Sequence, residues 1–461
     1  MDWLTDNTPD GYRSFVEELC QRGQVPGLVV GLTADGRTET LETFGQRDRE
    51  HALPATPDTL FGIGSVTKSF SAIAIMQLVE RGRLDLDTPV VRYLPEFRTR
   101  DPEHTRHITL HHLLTHGSGM PPMDLLYRAM RAEGHVPIHT TADLLLALGE
   151  QEMRYVGAPG ELFSYSNEGY ALLAPIIEAG ADHSYTEWVD AHILRPCGLT
   201  RTTFRVPGAA DDPVTTVYAE AESGAARPEP AGGWRDAPAM WACGFLRSTV
   251  PDLLRYLEIF RTGGRVDGVE ILTTASVERM MTPHMPYSPG QAYGYGLRIT
   301  QAASGLRLVE HSGGLQGVSE HVVAVPERGL AAASLANLMS APAGRAALAL
   351  VHARLGLPMD MPRVAYEPGP DPLDPEVLRS VVGVYVNGEG DRLKVTLRDG
   401  AVDVDNGAQV APFQHIAQLG FAGRYPHATE PSFVQFLPDA RGTVTRMTSG
   451  SRVFFREGEV S

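Results

Sequence analysis

Ser65 and Lys68, in the stretch GSVTK, are spaced so that a hydroxyl and an amine share one side of a helix. They follow Gly62 and Gly64 and open an apolar segment with helical periodicity, so we expect both at a helix N-terminus, one turn apart. The free backbone amides and the dipole at such an end stabilise an anion and favour an uncharged lysine. A serine beside an amine that can take its proton is the arrangement of a Ser-Lys nucleophile.

Lysine is rare in this chain, which makes Lys68 informative. Only two of the 40 Lys and Arg residues are lysines, Lys68 and Lys394. Arginine can replace lysine on a solvated surface, but a guanidinium cannot give up its proton and act as a base. Lys394 lies in DRLKVTL, which has the pattern of an exposed strand position. We therefore expect Lys68 to serve as a base.

Tyr165 and Asn167 are a second group of candidate residues, in SYSNEGY ahead of an apolar helix. A tyrosine near a positive charge can carry protons, and an asparagine amide can donate to a substrate carbonyl and accept from an ammonium. A packed core tyrosine and a helix-capping asparagine would explain the same residues without chemistry.

His311, Ser312, Gly313 and Gly314 close a predicted strand and are a third group. Glycines there let a substrate lie against the strand edge. The backbone N–H of Gly314 is placed to join that of Ser65 in an oxyanion hole, which stabilises the negative charge of acyl transfer. Taken alone, the same residues fit a turn.

The elements that must position these groups come from both ends of a long first segment. Residues 25–47 predict a strand pair around a DG turn, residues 65–81 and 109–120 predict helices, and apolar runs between 294 and 338 predict neighbouring strands. One sheet built from both ends of the segment, with helices packed on it, accounts for this order.

A second domain is predicted at the C-terminal end. Residues 356–375 are rich in proline, so we assign them to a linker between a domain at 1–355 and a domain at 376–461. Alternating apolar and polar residues with NG, DG and RG turns predict an antiparallel β module for 376–461, a small barrel or sandwich.

The order of the motifs resembles the signature of the serine β-lactamase and penicillin-binding-protein superfamily, in its class C β-lactamase-like branch. That signature is Ser-x-x-Lys, then Tyr-x-Asn, then Lys or His followed by Ser or Thr and Gly. The matching residues are Ser65 and Lys68, Tyr165 and Asn167, and His311, Ser312 and Gly313.

Weaker similarity at 108–120, 244–257 and 293–299 extends the resemblance over about residues 10–355. It implies an α+β fold, in which an antiparallel sheet flanked by helices joins an all-helical half and the active site lies in the cleft between them. The C-terminal module resembles the lipocalin-like barrel domain appended to some members.

The resemblance also implies catalytic roles. Ser65 would form an acyl-enzyme, and Lys68 and Tyr165 would share general acid and base work. Asn167 would orient Lys68 and the substrate.

The third motif would supply the remaining contacts. The amides of Ser65 and Gly314 would form the oxyanion hole, with Ser312 and Gly313 beside the substrate. His311 stands where true class C β-lactamases have lysine, and a mostly neutral histidine attracts a β-lactam carboxylate less strongly.

We therefore expect a serine hydrolase that acts on an ester or amide bond of a small peptide or ester through a Ser65 acyl-enzyme, without a cofactor. The alternatives are a penicillin-binding-protein-type thioesterase that cyclises peptides, a true β-lactamase, and a non-catalytic ligand-binding sensor. Cyclic product from a peptidyl thioester would identify the cyclase, and rapid hydrolysis of a chromogenic cephalosporin would identify the β-lactamase. The joint presence of the motif residues argues against a sensor.

Charge and composition exclude other classes of partner. A net charge of −16 opposes binding to nucleic acid or an anionic membrane. Cys20, Cys197 and Cys243 lack CxxC spacing, and the His112–His116 pair lacks a third ligand, so we expect neither a disulfide framework nor a metal site. The acidic N-terminus without a signal pattern predicts a cytoplasmic protein. The oligomeric state stays open.

Overall fold

Strands from both ends of the first long segment lie side by side in one antiparallel sheet. The computed structural model describes residues 8–123, 125–130, 138–208, 213–220, 228–232, 234–315, 317–369, 373–398, 401–426, 428 and 430–458. In spatial order the described strands of the sheet are β10 (Met285–Ser288), β11 (Gln291–Tyr293), β12 (Arg298–Gln301), β13 (Arg307–Leu315), β14 (Val318–Val325), β15 (Leu330–Ala336), β1 (Gly27–Ala34), β2 (Arg37–Asp48) and β3 (Leu53–Pro54). Leu28 on β1 lies opposite Ala336 on β15, which confirms the expected sheet of early and late strands.

The C-terminal part forms a closed antiparallel β-barrel, as the alternating pattern predicted. Its described strands are β16 (Gly383–Val386), β17 (Arg392–Arg398), β18 (Ala401–Asp405), β19 (Val410–Ala417), β20 (Gly420–Gly423), β21 (Ser432–Pro438), β22 (Val444–Ser449) and β23 (Arg452–Arg456). Closure removes the open sheet edges, because β23 pairs back on β16. The domain limits at 355 and 376 stay a prediction.

Short strand pairs and helices complete the fold. The pairs are β4 (Phe61–Gly62) with β7 (Arg247–Ser248), β5 (Tyr218–Ala219) with β6 (Glu229–Pro230), and β8 (Arg265–Val266) with β9 (Val269–Glu270). The described helices are α1 (Pro9–Arg22), α2 (Thr67–Glu80), α3 (Pro102–His107), α4 (Leu110–Leu114), α5 (Leu125–Met130), α6 (Thr141–Glu150), α7 (Asn167–Ala171), α8 (Leu173–Gly180), α9 (Tyr185–Val189), α10 (Val250–Thr262), α11 (Thr274–Met280), α12 (Ala343–Arg354) and α13 (Pro375–Ser380). Within the described ranges, no helix has the length and apolar character needed to cross a membrane.

Helices cover both faces of the sheet, so its central strands are buried throughout. Successive residues of β15 point to opposite faces: Ala333 and Leu335 join the core shared with α10 and α2, whereas Ala332 and Ala336 join the core shared with α1 and α12. This two-sided burial explains why β1 and β15 are apolar without alternation.

Helix α2 carries Lys68 through the middle of the larger core. Residues 67–78 are all buried, and they lie within the segment predicted to be a helix. A helix that is buried on all sides is held by packing around its whole circumference. The packing of α2 therefore holds the backbone of Lys68 in place independently of its polar contacts.

Arg247 on β7 is a buried cation that holds the segment leading into the site. It is 1 % exposed. Its Nη1 donates to the carbonyls of Phe204 at 2.7 Å and Phe245 at 3.1 Å, and its Nη2 donates to Arg235 O at 3.3 Å. Burial lowers the pKa of Arg247. Removing the guanidinium would therefore take this donor from the buried carbonyls of Phe204 and Phe245.

We predict that Arg247→Met lowers the free energy of unfolding by about 2 to 4 kcal/mol, because methionine fills the space but cannot donate to the carbonyls. Urea unfolding followed by circular dichroism measures the change. The control is Arg265→Met, which breaks an exposed ion pair with Glu270 and should cost under about 1 kcal/mol. Equal losses in the two variants would contradict this account of Arg247.

Candidate active site

Lys68 lies at the centre of the candidate site. Among the described residues, its Nζ has hydrogen-bond partners in Ser65 Oγ at 3.0 Å, Asn167 Oδ1 at 2.8 Å and the backbone carbonyl of Cys243 at 2.7 Å. Lys68 is 0 % exposed, whereas Ser65 is half-buried. The structure thus brings together the predicted Ser65, Lys68 and Asn167, and leaves the serine accessible to a substrate.

A short 3-10 turn sets the position of Ser65. It spans Gly64–Val66 and runs directly into α2 at Thr67, so Ser65 and Lys68 are one turn apart as expected. The amide of Leu246 donates to Thr67 Oγ1 at 3.2 Å. This bond holds the segment that carries the Cys243 carbonyl against the start of α2.

Asn167 is free to bind Lys68 because a neighbouring residue caps its helix. Ser166 is the N-cap of α7, and its Oγ accepts from Gly169 N at 3.0 Å. The amide of Ser166 in turn donates to Nδ1 of the buried His116 at 3.0 Å. The capping explanation for Asn167 is therefore wrong, since Ser166 caps the helix and the Asn167 amide faces Lys68.

Tyr165 meets Lys68 through the face of its ring. The distance from Lys68 Nζ to the ring centroid is 4.8 Å for Tyr165 and 5.6 Å for Tyr170. The ring of His116 lies 4.1 Å from that of Tyr165 and fixes its orientation. Ring faces attract a cation, so the two rings form a surface that favours a positive charge at Nζ.

His311 reaches the site through other aromatic side chains. Its Nδ1 lies 2.7 Å from Ser312 O and its Nε2 lies 2.8 Å from Tyr293 Oη. A carbonyl can only accept, so Nδ1 carries the proton and Nε2 accepts from the Tyr293 hydroxyl. Burial, with the charges of Arg298 and Lys68, lowers the pKa of His311 well below 6.5. His311 is thus neutral at pH 7, with its ring centroid 6.4 Å from that of Tyr165.

Ser65 and Gly314 approach each other through glycine backbone. A Cβ atom on Gly64 would lie 3.0 Å from Gly314 N, and one on Gly313 would lie 2.8 Å from Ser65 N. Ser312, Gly313 and Gly314 continue β13 and do not form a turn. The two amides predicted for an oxyanion hole therefore lie in one backbone cluster, which side chains at positions 64 and 313 would obstruct.

The barrel supplies one wall beside Tyr165. Ser451 O accepts from Tyr165 N at 3.2 Å, and the Arg452 guanidinium lies 5.2 Å from the Tyr165 ring centroid. Glu389 holds Arg452 with oxygens 2.6 Å from Nε and 3.0 Å from Nη2. The site therefore contains a fixed cation contributed by the C-terminal barrel.

Sequence reasoning missed the Cys243 carbonyl and Arg452. Cys243 is 1 % exposed, its thiol donates to Met240 O, and burial raises the pKa of that thiol to about 12. Its side chain is therefore packed in the core, and its backbone carbonyl is the part that contacts Lys68, so no residue type signals this contact. Arg452 is one of many arginines, and the alternating pattern of its strand does not indicate which domain it faces.

The histidines considered for metal binding have protein partners. His112 Nδ1 lies 3.2 Å from Thr109 Oγ1, and His116 Nδ1 accepts from Ser166 N at 3.0 Å. In the part of the chain that the structure describes, no group of His, Cys, Asp or Glu side chains has a metal-binding arrangement.

The sheet, the helical half and the Ser-Lys pair with its Tyr and Asn define a serine hydrolase of the β-lactamase and penicillin-binding-protein superfamily. A family model described as Beta-lactamase matches residues 12–356, and the chain belongs to this family.

Relatives share the architecture over most of the chain. Protein Rv1367c of Mycobacterium tuberculosis is 28 % identical over 333 residues, which are 66 % of this chain and 82 % of that protein. The octameric penicillin-binding protein homologue from Pyrococcus abyssi is 28 % identical, with a TM-score of 0.70 over 97 % of this chain and 100 % of that chain. SurE is 26 % identical, with a TM-score of 0.74 over 97 % and 98 %. A structure of SurE with D-Leu is 25 % identical, with a TM-score of 0.70 over 97 % and 99 %.

Glu168, next to Asn167, is a buried acid on the same helix. Its Oε1 accepts from Leu125 N at 3.2 Å and its Oε2 from Ser166 Oγ at 3.1 Å. Burial raises the pKa of Glu168 to about 7, against the opposing effect of its hydrogen bonds. The folded protein therefore holds this proton between pH 4.5 and about 7, where the unfolded chain releases it.

Loss of this proton makes the fold less stable as the pH rises. A carboxyl whose folded-state pKa is raised contributes its full stability below the unfolded pKa and loses it up to the folded pKa. We predict that Glu168→Gln, which cannot ionise, gains on the order of 2 kcal/mol relative to wild type between about pH 5 and pH 8. Urea unfolding at both pH values measures the gain. Parallel pH profiles for the variant and wild type would contradict the prediction, and the exposed Glu152→Gln is the control.

Proposed function

We propose that this protein is a serine hydrolase that cleaves an ester or amide bond in a small peptide or ester through a Ser65 acyl-enzyme. The observation that carries the proposal is the position of Lys68 Nζ, 3.0 Å from Ser65 Oγ, with acceptors at Asn167 Oδ1 and Cys243 O. That intact contact set supports catalysis over a sensor, which would need only a pocket.

The partners of Lys68 favour transfer of a proton from Ser65. A neutral amine has two N–H donors and one lone pair. The Asn167 and Cys243 oxygens facing Nζ are acceptors, so they take the two N–H donors and leave the lone pair directed at Ser65. Ser65 can then donate its hydroxyl proton to Lys68 as it attacks, which is the activation that a serine nucleophile requires.

Acylation and deacylation follow from this arrangement. Ser65 Oγ bonds to the substrate carbonyl carbon while its proton passes to Lys68, and the carbonyl oxygen becomes an oxyanion between the Ser65 and Gly314 amides. The tetrahedral intermediate then collapses and expels the alcohol or amine. Lys68 gives its proton to this leaving group, a step in which Tyr165 shares the general acid role. Water then attacks the acyl carbon and gives a proton to Lys68. The bond to Ser65 Oγ breaks, the acid is released, and Lys68 returns the proton to Ser65.

The neutral His311 makes a true β-lactamase the less favoured alternative. Its Nε2 already accepts from Tyr293 Oη at 2.8 Å. A neutral, occupied imidazole gives no fixed positive charge for a β-lactam carboxylate. Esters and peptides do not need that charge at this position.

The barrel supports a peptide-like substrate. A cavity of about 460 Å³ lies between the barrel and the catalytic part, lined by apolar residues including Phe163, Tyr287 and Phe433 and by Arg452. Arg452 also contacts Tyr165, which links the cavity to the site. The D-Leu in a SurE structure supports an amino-acid-derived substrate. Whether the acceptor is water or an internal amine, as in the peptide cyclase, is decided by the product from a peptidyl thioester.

The proposed location is the cytoplasm. The three cysteines, Cys20, Cys197 and Cys243, are free thiols, as in proteins of a reducing compartment.

The two lysines provide a matched test of the mechanism. We predict that Lys68→Arg lowers kcat/KM for a p-nitrophenyl ester by about 10² to 10⁴-fold, because arginine cannot accept the Ser65 proton. Lys394→Arg, at an exposed position on β17, should stay within about twofold of wild type. Release of p-nitrophenol measures both, with Ser65→Ala as the blank. Equal activity in the two lysine variants would contradict the proposed mechanism.

Arg452 tests whether the barrel selects substrates. We predict that Arg452→Gln lowers kcat/KM about three- to tenfold for a p-nitrophenyl ester whose acyl group ends in a carboxylate, because the guanidinium attracts that charge. The same ester ending in a carboxamide should change by less than about twofold. Arg392→Gln is the control, since Arg392 is an exposed barrel arginine paired with Glu457. Equal effects on both esters would exclude this role for Arg452.

A further inference from the structure

Glu320 on β14 is a buried acid that the proposed mechanism does not use. It is 1 % exposed, and neither carboxyl oxygen has a hydrogen-bond partner among the described residues. It lies opposite Gly313 on β13 and Leu335 on β15. A buried carboxylate without a partner is costly, so such a group is retained as a neutral acid or removed.

Two motif glycines make the space for this carboxyl. A Cβ atom on Gly64 would lie 2.2 Å from Glu320 Oε1, and one on Gly313 would lie 1.8 Å from the same oxygen. Gly64 precedes the nucleophile Ser65, and Gly313 precedes Gly314. The carboxyl therefore lies directly behind the two amides assigned to the oxyanion hole.

Few charges face Glu320 in this position. Burial raises the pKa of Glu320 well above 4.5, and a positive charge on Lys68 of α2 opposes that rise. The next side chain on the same face of β13 is His311, which is neutral because its pKa lies well below 6.5. Leu335, opposite on β15, is apolar. The protonated carboxyl is thus the form that fits its surroundings.

We propose that Glu320 is a positioning residue of the oxyanion hole and that the site works only while this carboxyl is protonated. The neutral acid fills the space between the Gly64 and Gly313 backbones and adds no charge. Once ionised, it would place a negative charge behind the amides that must stabilise the oxyanion. This inference rests on the proposed Ser65 mechanism.

The test is the pH dependence of kcat/KM for a p-nitrophenyl ester in wild type and Glu320→Gln. Wild type should lose activity at alkaline pH by at least about tenfold, whereas Glu320→Gln should stay within about threefold of its own maximum. A purely structural role for Glu320 would change the level of activity and not the shape of the profile. Glu168→Gln, which removes the other buried acid near the site, should keep the alkaline fall of wild type.

An alkaline fall in Glu320→Gln equal to that of wild type would overturn the proposal. If Glu320→Gln does not fold by circular dichroism, Glu320→Met keeps the length without a charge and carries the same expectation. If neither variant folds, infrared titration of wild type follows the carbonyl band of the buried protonated carboxyl. Loss of that band with the same midpoint as activity supports the proposal, and a different midpoint overturns it.

Ser65→Ala separates this inference from the mechanism on which it rests. Full activity in Ser65→Ala would remove the proposed function and this inference together. Activity that needs Ser65 but keeps its alkaline fall in Glu320→Gln removes only the role of Glu320.

Discussion

A fully buried lysine amine is the constraint on which the rest of the site depends. An ammonium or amine removed from water must find partners inside the protein. Lys68 finds them in Ser65, in Asn167 and in the Cys243 carbonyl. Because these partners come from three separate parts of the chain, the site assembles only when α2, α7 and the segment before β7 are all in place.

Aromatic rings and buried titratable side chains surround Lys68. The rings of Tyr165 and Tyr170 face its nitrogen, and the nearby His116 and His311 have pKa values well below 6.5 because they are buried. Burial also raises the pKa of the acids in this region, to about 7 at Glu168 and well above 4.5 at Glu320.

The sequence predicted the parts of this site that depend on local spacing. Ser65 and Lys68 are one helical turn apart, so their contact follows from α2 alone, and the scarcity of lysine distinguishes Lys68 by composition alone. The prediction that Tyr165, Asn167 and His311 lie in the same site as Ser65 came from the resemblance to the family signature, because no local rule relates positions separated by such long segments. The β-barrel followed from alternation and turn residues, which are local signals as well.

Other contacts carry no signal of this kind. The Cys243 segment contributes a backbone carbonyl, which every residue possesses. Arg452 reaches Tyr165 from the barrel, and domain packing is not encoded in a periodic pattern. Glu320 lies in VSEHVVAV, where one acid in an apolar run gives no hint that two glycines from distant segments make room for it.

The measurement that tests the central claim most directly is mass spectrometry of the wild-type protein quenched in acid during turnover of an activated ester. If Ser65 is the nucleophile activated by Lys68, the intact mass increases by one acyl group, and peptide mapping places that group on Ser65. An acyl group on a different residue, or turnover without any covalent adduct in a quenched time course that resolves the first turnover, would contradict the account.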